Sequence, residues 1–120
     1  MYQFVERFQS AIAALIADGP VKQRLARAYG DYLEDLTDAE LPGAAKVALS
    51  DLHEALHRVG PIGREDSVKA SIRKMSPAEA TWHAETILKV YADLLSQARR
   101  SEPLKVVSPP TEKPPRFLVG

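Results

Sequence analysis

From Phe4 to Ala98 apolar residues recur at spacings of three and four, the period of helices that bury one face. Phe4, Phe8, Ile12 and Leu15 form the first stripe, widened by Val5 and Ile16. Asp18-Gly19-Pro20 ends that helix and starts another. The second helix carries Val21, Leu25, Ala28, Tyr32 and Leu36 on one side, with Tyr29 and Leu33 beside them. Thr37-Asp38-Ala39-Glu40 has the reciprocal capping pattern, but Pro42-Gly43 follows at once and leaves room for a short turn only. A third helix fits residues 43–59, with Ala45, Ala48, Leu52, Leu56 and Val59 facing inward.

The stretch GPIGRED reads as a loop, after which Ser67 is placed to cap a short helix bearing Val68, Ile72 and Met75. The clearest local signal is SPAEA. Ser76 is the N-cap, Pro77 takes the first helical position, and Glu79 reaches back to close a capping box. The helix that follows sets Ala80, Ala84, Ile87, Tyr91, Leu94 and Ala98 on its seam, flanked by Leu88 and Leu95. It is the longest helix and the one expected to organise the others. After Ser101 the character changes: five of the nine prolines fall in PLKVVSPPTEKPPRFLVG, which suits neither helix nor central strand. No segment alternates with period two. The fold expected is all-α: a compact bundle of four main helices plus one short helix over residues 1–101, with an extended proline-rich tail over 102–120.

Composition narrows the function classes. Sixteen basic and sixteen acidic side chains cancel, so no net field draws the molecule to nucleic acid or anionic lipid. The chain has no cysteine, which excludes disulfides, thiolate catalysis and cysteine-ligated zinc. No apolar run approaches the roughly 18 residues of a membrane span. A cytoplasmic protein with no membrane association is the expectation.

One string carries candidate chemistry. His53-Glu54-Ala55-Leu56-His57 spells HExxH, in which two histidines one turn apart share a zinc ion and the glutamate activates its bound water. The longer HEALHRVGPIG resembles the metzincin peptidase pattern; Gly60 matches its turn, but Gly63 stands where the third histidine belongs. A catalytic zinc wants three protein ligands. Glu79, His83 or Glu85 on the long helix are the candidates for the third, a glutamate from a later helix being the gluzincin arrangement. The sheet that covers the active-site helix of such peptidases has no counterpart before residue 53. At about 100° per residue, with Leu52 as the middle of the buried stripe, His53 falls at its edge, His57 about 140° round, and Glu54 almost opposite.

Two further families fit less. Histidine-phosphotransfer bundles carry H-x-x-K-G, whereas His57 is followed by Arg58 and then by Gly60, one residue early. Di-iron bundles need two ExxH pairs, and Glu54–His57 supplies one.

Other residues fall outside the string. His83 lies near the seam of the long helix and is expected to be a buried histidine bonded to a carbonyl or carboxylate. Trp82, the only tryptophan, falls on a second stripe with Ala78, Thr86 and Val90, where it covers a bundle edge or anchors a partner. The basic groups Lys22, Arg24, Arg27 and Lys69, Arg73, Lys74 read as solvated faces, and Glu79 and Glu85 on the following helix argue against a nucleic-acid surface. Phe117 and Leu118 in RFLVG read as a hook for a groove in this molecule or another. The leading expectation is therefore a non-enzymatic module for protein–protein contact or self-association through Trp82, Phe117 and Leu118, without a cofactor. The alternatives are a zinc hydrolase built on His53, Glu54 and His57, and a nucleic-acid-associated helical protein.

Overall fold

Five helices follow one another in the computed structural model, which describes residues 2–37, 41 and 43–101. They are α1 (Tyr2–Leu15), α2 (Val21–Tyr32), α3 (Gly43–Leu56), α4 (Ser67–Lys74) and α5 (Pro77–Ser101). The protein is all-α, with no strand among the described residues. The capping pattern at Thr37–Glu40 falls largely outside them, and the tail 102–120 with Phe117 and Leu118 falls wholly outside. No described helix is long and apolar enough to cross a membrane.

The longest helix does organise the bundle: α1, α2 and α3 all pack against α5, while α4 closes on α2 and α3. Serving three neighbours demands a wide seam. Ala80, His83, Ile87, Val90, Leu94 and Ala98 are buried, with Ala84 and Tyr91 half-buried, so the seam is turned toward Val90 relative to the expected one. In α2 the centre likewise moves by one residue. Tyr29 and Leu33 are fully buried, whereas Tyr32 and Leu36 sit at the edge, because the helix ends at Tyr32 and Leu33 returns its N–H to the Tyr29 carbonyl. Ile16 does not widen the α1 stripe. The helix stops at Leu15 and leaves Ile16 exposed.

The α1–α2 turn explains one of the basic groups. Arg24 donates from Nε to the Gly19 carbonyl (2.7 Å) and from Nη1 to the Leu15 carbonyl (2.6 Å), and Arg27 reaches the Asp18 carbonyl (3.1 Å). Carbonyls at a helix C-terminus have no partner within the helix, and a guanidinium fork satisfies several at once. Lys22 in turn donates to the Arg73 carbonyl at the end of α4.

Two caps differ from expectation. Asp66, not Ser67, caps α4, its carboxylate accepting from the Lys69 N–H at 2.8 Å. Ser67 instead donates to the Val59 carbonyl (2.6 Å), while Ser71 accepts from the Val59 N–H (2.9 Å). With both backbone groups of Val59 held by α4, the chain leaves helical register early, and α3 ends at Leu56 and not at 59. The intervening loop turns through Gly63, whose φ of 57° disfavours a side chain, so that Ile62 and Glu65 exchange backbone hydrogen bonds. At the start of α5, Ser76 accepts from the Glu79 N–H at 3.0 Å as expected. The other half of the box does not form: the Glu79 carboxylate turns to Arg58 at 3.3 Å.

Candidate functional site: a groove between α3 and α5

Helix α3 has two working sides. Toward α2, His53 is held at both ring nitrogens: the Tyr29 hydroxyl lies 2.6 Å from Nδ1 and the Leu36 carbonyl 2.9 Å from Nε2. A carbonyl can only accept, so Nε2 carries the hydrogen and Nδ1 takes the hydrogen of the Tyr29 hydroxyl. The buried ring of Tyr29 meets His53 and His57 edge-on, with centroids 5.6 and 5.9 Å away. His57 also faces Glu34, at 3.5 Å. The four-residue spacing of the string thus lets two histidines straddle one tyrosine. Burial, and then the charge of Glu34, hold the Tyr29 phenol well above its ordinary range.

His53 is not turned to solvent, and both of its potential donor atoms are engaged. Glu54 is exposed and lies on the other side, by the groove. Among the described residues no three histidine, aspartate or glutamate side chains form a group able to hold a metal ion. Glu79 and His83 lie together, 3.7 Å apart, but Glu79 is turned to Arg58. Glu85 is exposed.

Toward α5, α3 borders a long groove. Its middle is a hollow of about 440 Å³ floored by Ala48, Leu52 and His83, with Val47 on one lip and Trp82 on the other. Val47 is 60% and Trp82 59% exposed, large apolar side chains standing in water on both edges of an apolar channel. Toward the end of α3 the hollow continues into a more polar one of about 650 Å³, bordered by Asp51, Glu54, His57 and Arg58. Toward the start of α3 it runs past Ala44 and Thr86 to Val90 and Asp93. Residue numbers fall along α5 as they rise along α3, so the groove separates two antiparallel helices.

His83 is buried as expected, but it is not a satisfied core histidine. Its Nε2 has no hydrogen-bond partner among the described residues, since the Glu79 carboxylate at 3.7 Å is beyond bonding distance. Burial lowers its pKa below the ordinary value, partly offset by the Glu79 charge. The indole of Trp82 stands edge-on to its ring at 5.3 Å.

The chain matches no family model, no curated protein and no solved structure.

The groove brings together Trp82 and His83, two of the sequence-predicted residues, and separates them from His53. Val47 and Asp51 were not among the sequence-predicted residues: at about 100° per residue both lie well away from the middle of the buried stripe at Leu52. A useful signal was present: Val47 is a β-branched apolar residue between Lys46 and Ala48, off the buried face.

Proposed function

We propose that the protein is a cytoplasmic, non-enzymatic module that docks an apolar segment of a partner protein in the groove between α3 and α5. The observation that carries this reading is the pair of exposed apolar lips, Val47 and Trp82, above a floor of Ala48, Leu52 and His83. Monomeric proteins seldom leave a rimmed apolar channel open, and tryptophan is the residue most enriched among binding hot spots. Small residues at Ala44 and Ala48 leave space for a partner's larger side chains. The carboxylates of Asp51 and Glu54 at one end favour a partner with a cation beside its apolar residues.

The test is site-specific photo-crosslinking in extract of the native host, with the photoreactive residue at Val47 or, as a control, at exposed Gln23. The reading predicts a discrete protein adduct from position 47 that is absent from position 23 and abolished by Trp82→Ala. The same adducts from both positions would count against it.

A further inference from the structure

The groove runs along the same helix that carries the chain into residues 102–120. Trp82 lies about 28 Å back from Ser101 at ~1.5 Å per helical residue. Residues 102–116 separate Ser101 from Phe117, a contour of about 45–50 Å in a proline-rich chain. Phe117 therefore has ample length to return to Trp82 on its own molecule.

The chemistry of that segment matches the groove. Arg116-Phe117-Leu118-Val119 places one cation directly before three apolar residues. The groove offers an apolar hollow between Val47 and Trp82, and beside it Asp51 and Glu54, exposed carboxylates with no ion pair among the described residues. Arg58, which borders the same end, is already paired with Glu79. Prolines 114 and 115 stand immediately before the segment and reduce the conformational freedom lost on docking. Tethering supplies the rest: a short linker gives an effective concentration on the order of 1 mM, enough to half-fill a site of similar dissociation constant.

We infer that Arg116–Val119 occupies the Trp82 end of this groove in cis, so that a partner segment must displace it. The inference rests on the groove being a docking surface and names its resident occupant. The tail then acts as an intramolecular competitor, weakening partner binding by the ratio of docked to free states.

Trp82 is the only tryptophan in the chain and reports its own occupancy. The experiment compares the 120-residue chain with its Phe117→Ser/Leu118→Ser variant, at micromolar concentration, by indole emission and acrylamide quenching. A synthetic peptide of residues 112–120 is then added to the variant. The expected result is a blue-shifted emission and about twofold slower quenching in the parent protein, as burial of an exposed indole requires. The peptide should restore both in the variant, and Asp51→Lys should weaken that restoration. Identical emission and quenching in the two proteins, with no response to peptide, overturns the inference. Shielding that grows with protein concentration also overturns it, since the occupant is then another copy's tail. If identical spectra coincide with a partner adduct at position 47, only the resident occupant is wrong; if no adduct forms either, the groove reading falls with it.

Discussion

Tyr29 and His53 are joined by a 2.6 Å hydrogen bond between helices α2 and α3, and the tyrosine is fully buried. The bond fixes the histidine's orientation, and the Leu36 carbonyl fixes its second nitrogen. The HExxH string is thus a clasp for the helix that forms one wall of the groove. Stability of that wall depends on a polar chain of three groups, each satisfied by the next.

Tyr29→Phe should destabilise the fold by about 1–2 kcal/mol, because His53 Nδ1 loses its donor in a partly buried position. His53→Ala should cost more, since it strands both the Tyr29 hydroxyl and the Leu36 carbonyl, whereas Glu54→Gln on the exposed side should lie within about 0.5 kcal/mol of the parent. Urea unfolding of the three variants checks the order. A zinc site would instead group His53 with His57, since both would supply ligands and Glu54 would not.

Arg24→Ala should cost about 1–2 kcal/mol through the loss of its bonds to the Leu15 and Gly19 carbonyls. Arg24→Lys should recover less than half of this, because one ammonium does not reproduce the fork. Thermal unfolding in low and high salt separates the account from a surface-charge effect: the loss should persist at high salt.

His83 gives a pH dependence with a definite sign. Its folded-state pKa is lowered from 6.5 by burial, so between that lowered value and 6.5 the unfolded chain binds the proton that the folded protein refuses. Stability should therefore be flat from this source above about 6.5 and fall as pH drops from there through the lowered folded value. His83→Leu should remove this slope and, by deleting an unpartnered buried Nε2, leave the protein as stable or more stable at neutral pH. Urea midpoints of both proteins across that interval test it; parallel curves would show that His83 is not the source.

Trp82→Ala should change unfolding stability by less than about 1 kcal/mol, in contrast to the ~3–5 kcal/mol typical of a core tryptophan. Its 59% exposure and the exposure of Val47 opposite require this. Calorimetry on Trp82→Ala and Val47→Asp checks that any loss of binding is not a loss of fold.

The helices were legible because their caps and stripes are local: Ser76-Pro77 and the four-three spacing in α5 are present in the sequence and in the structure. Boundaries set by distant contacts were not. Nothing near Val59 signals that Ser67 and Ser71 will take its backbone groups, and nothing near Ser67 shows that Asp66 outcompetes it as a cap. The same holds for the candidate site. Periodicity separated Trp82 from the seam and buried His83, but the partner of His53 comes from Tyr29, 24 residues away on another helix. Pairings of that kind are decided by how helices dock, which a helical wheel does not contain.

The most direct test of the clasp is the tautomer of His53, read from its ring ¹⁵N shifts at neutral pH before and after one equivalent of zinc. The structure requires hydrogen on Nε2, an acceptor lone pair on Nδ1 coupled to the Tyr29 hydroxyl, and no change with zinc. Loss of the Nε2 hydrogen and matching zinc-induced shifts at His53 and His57 would contradict it.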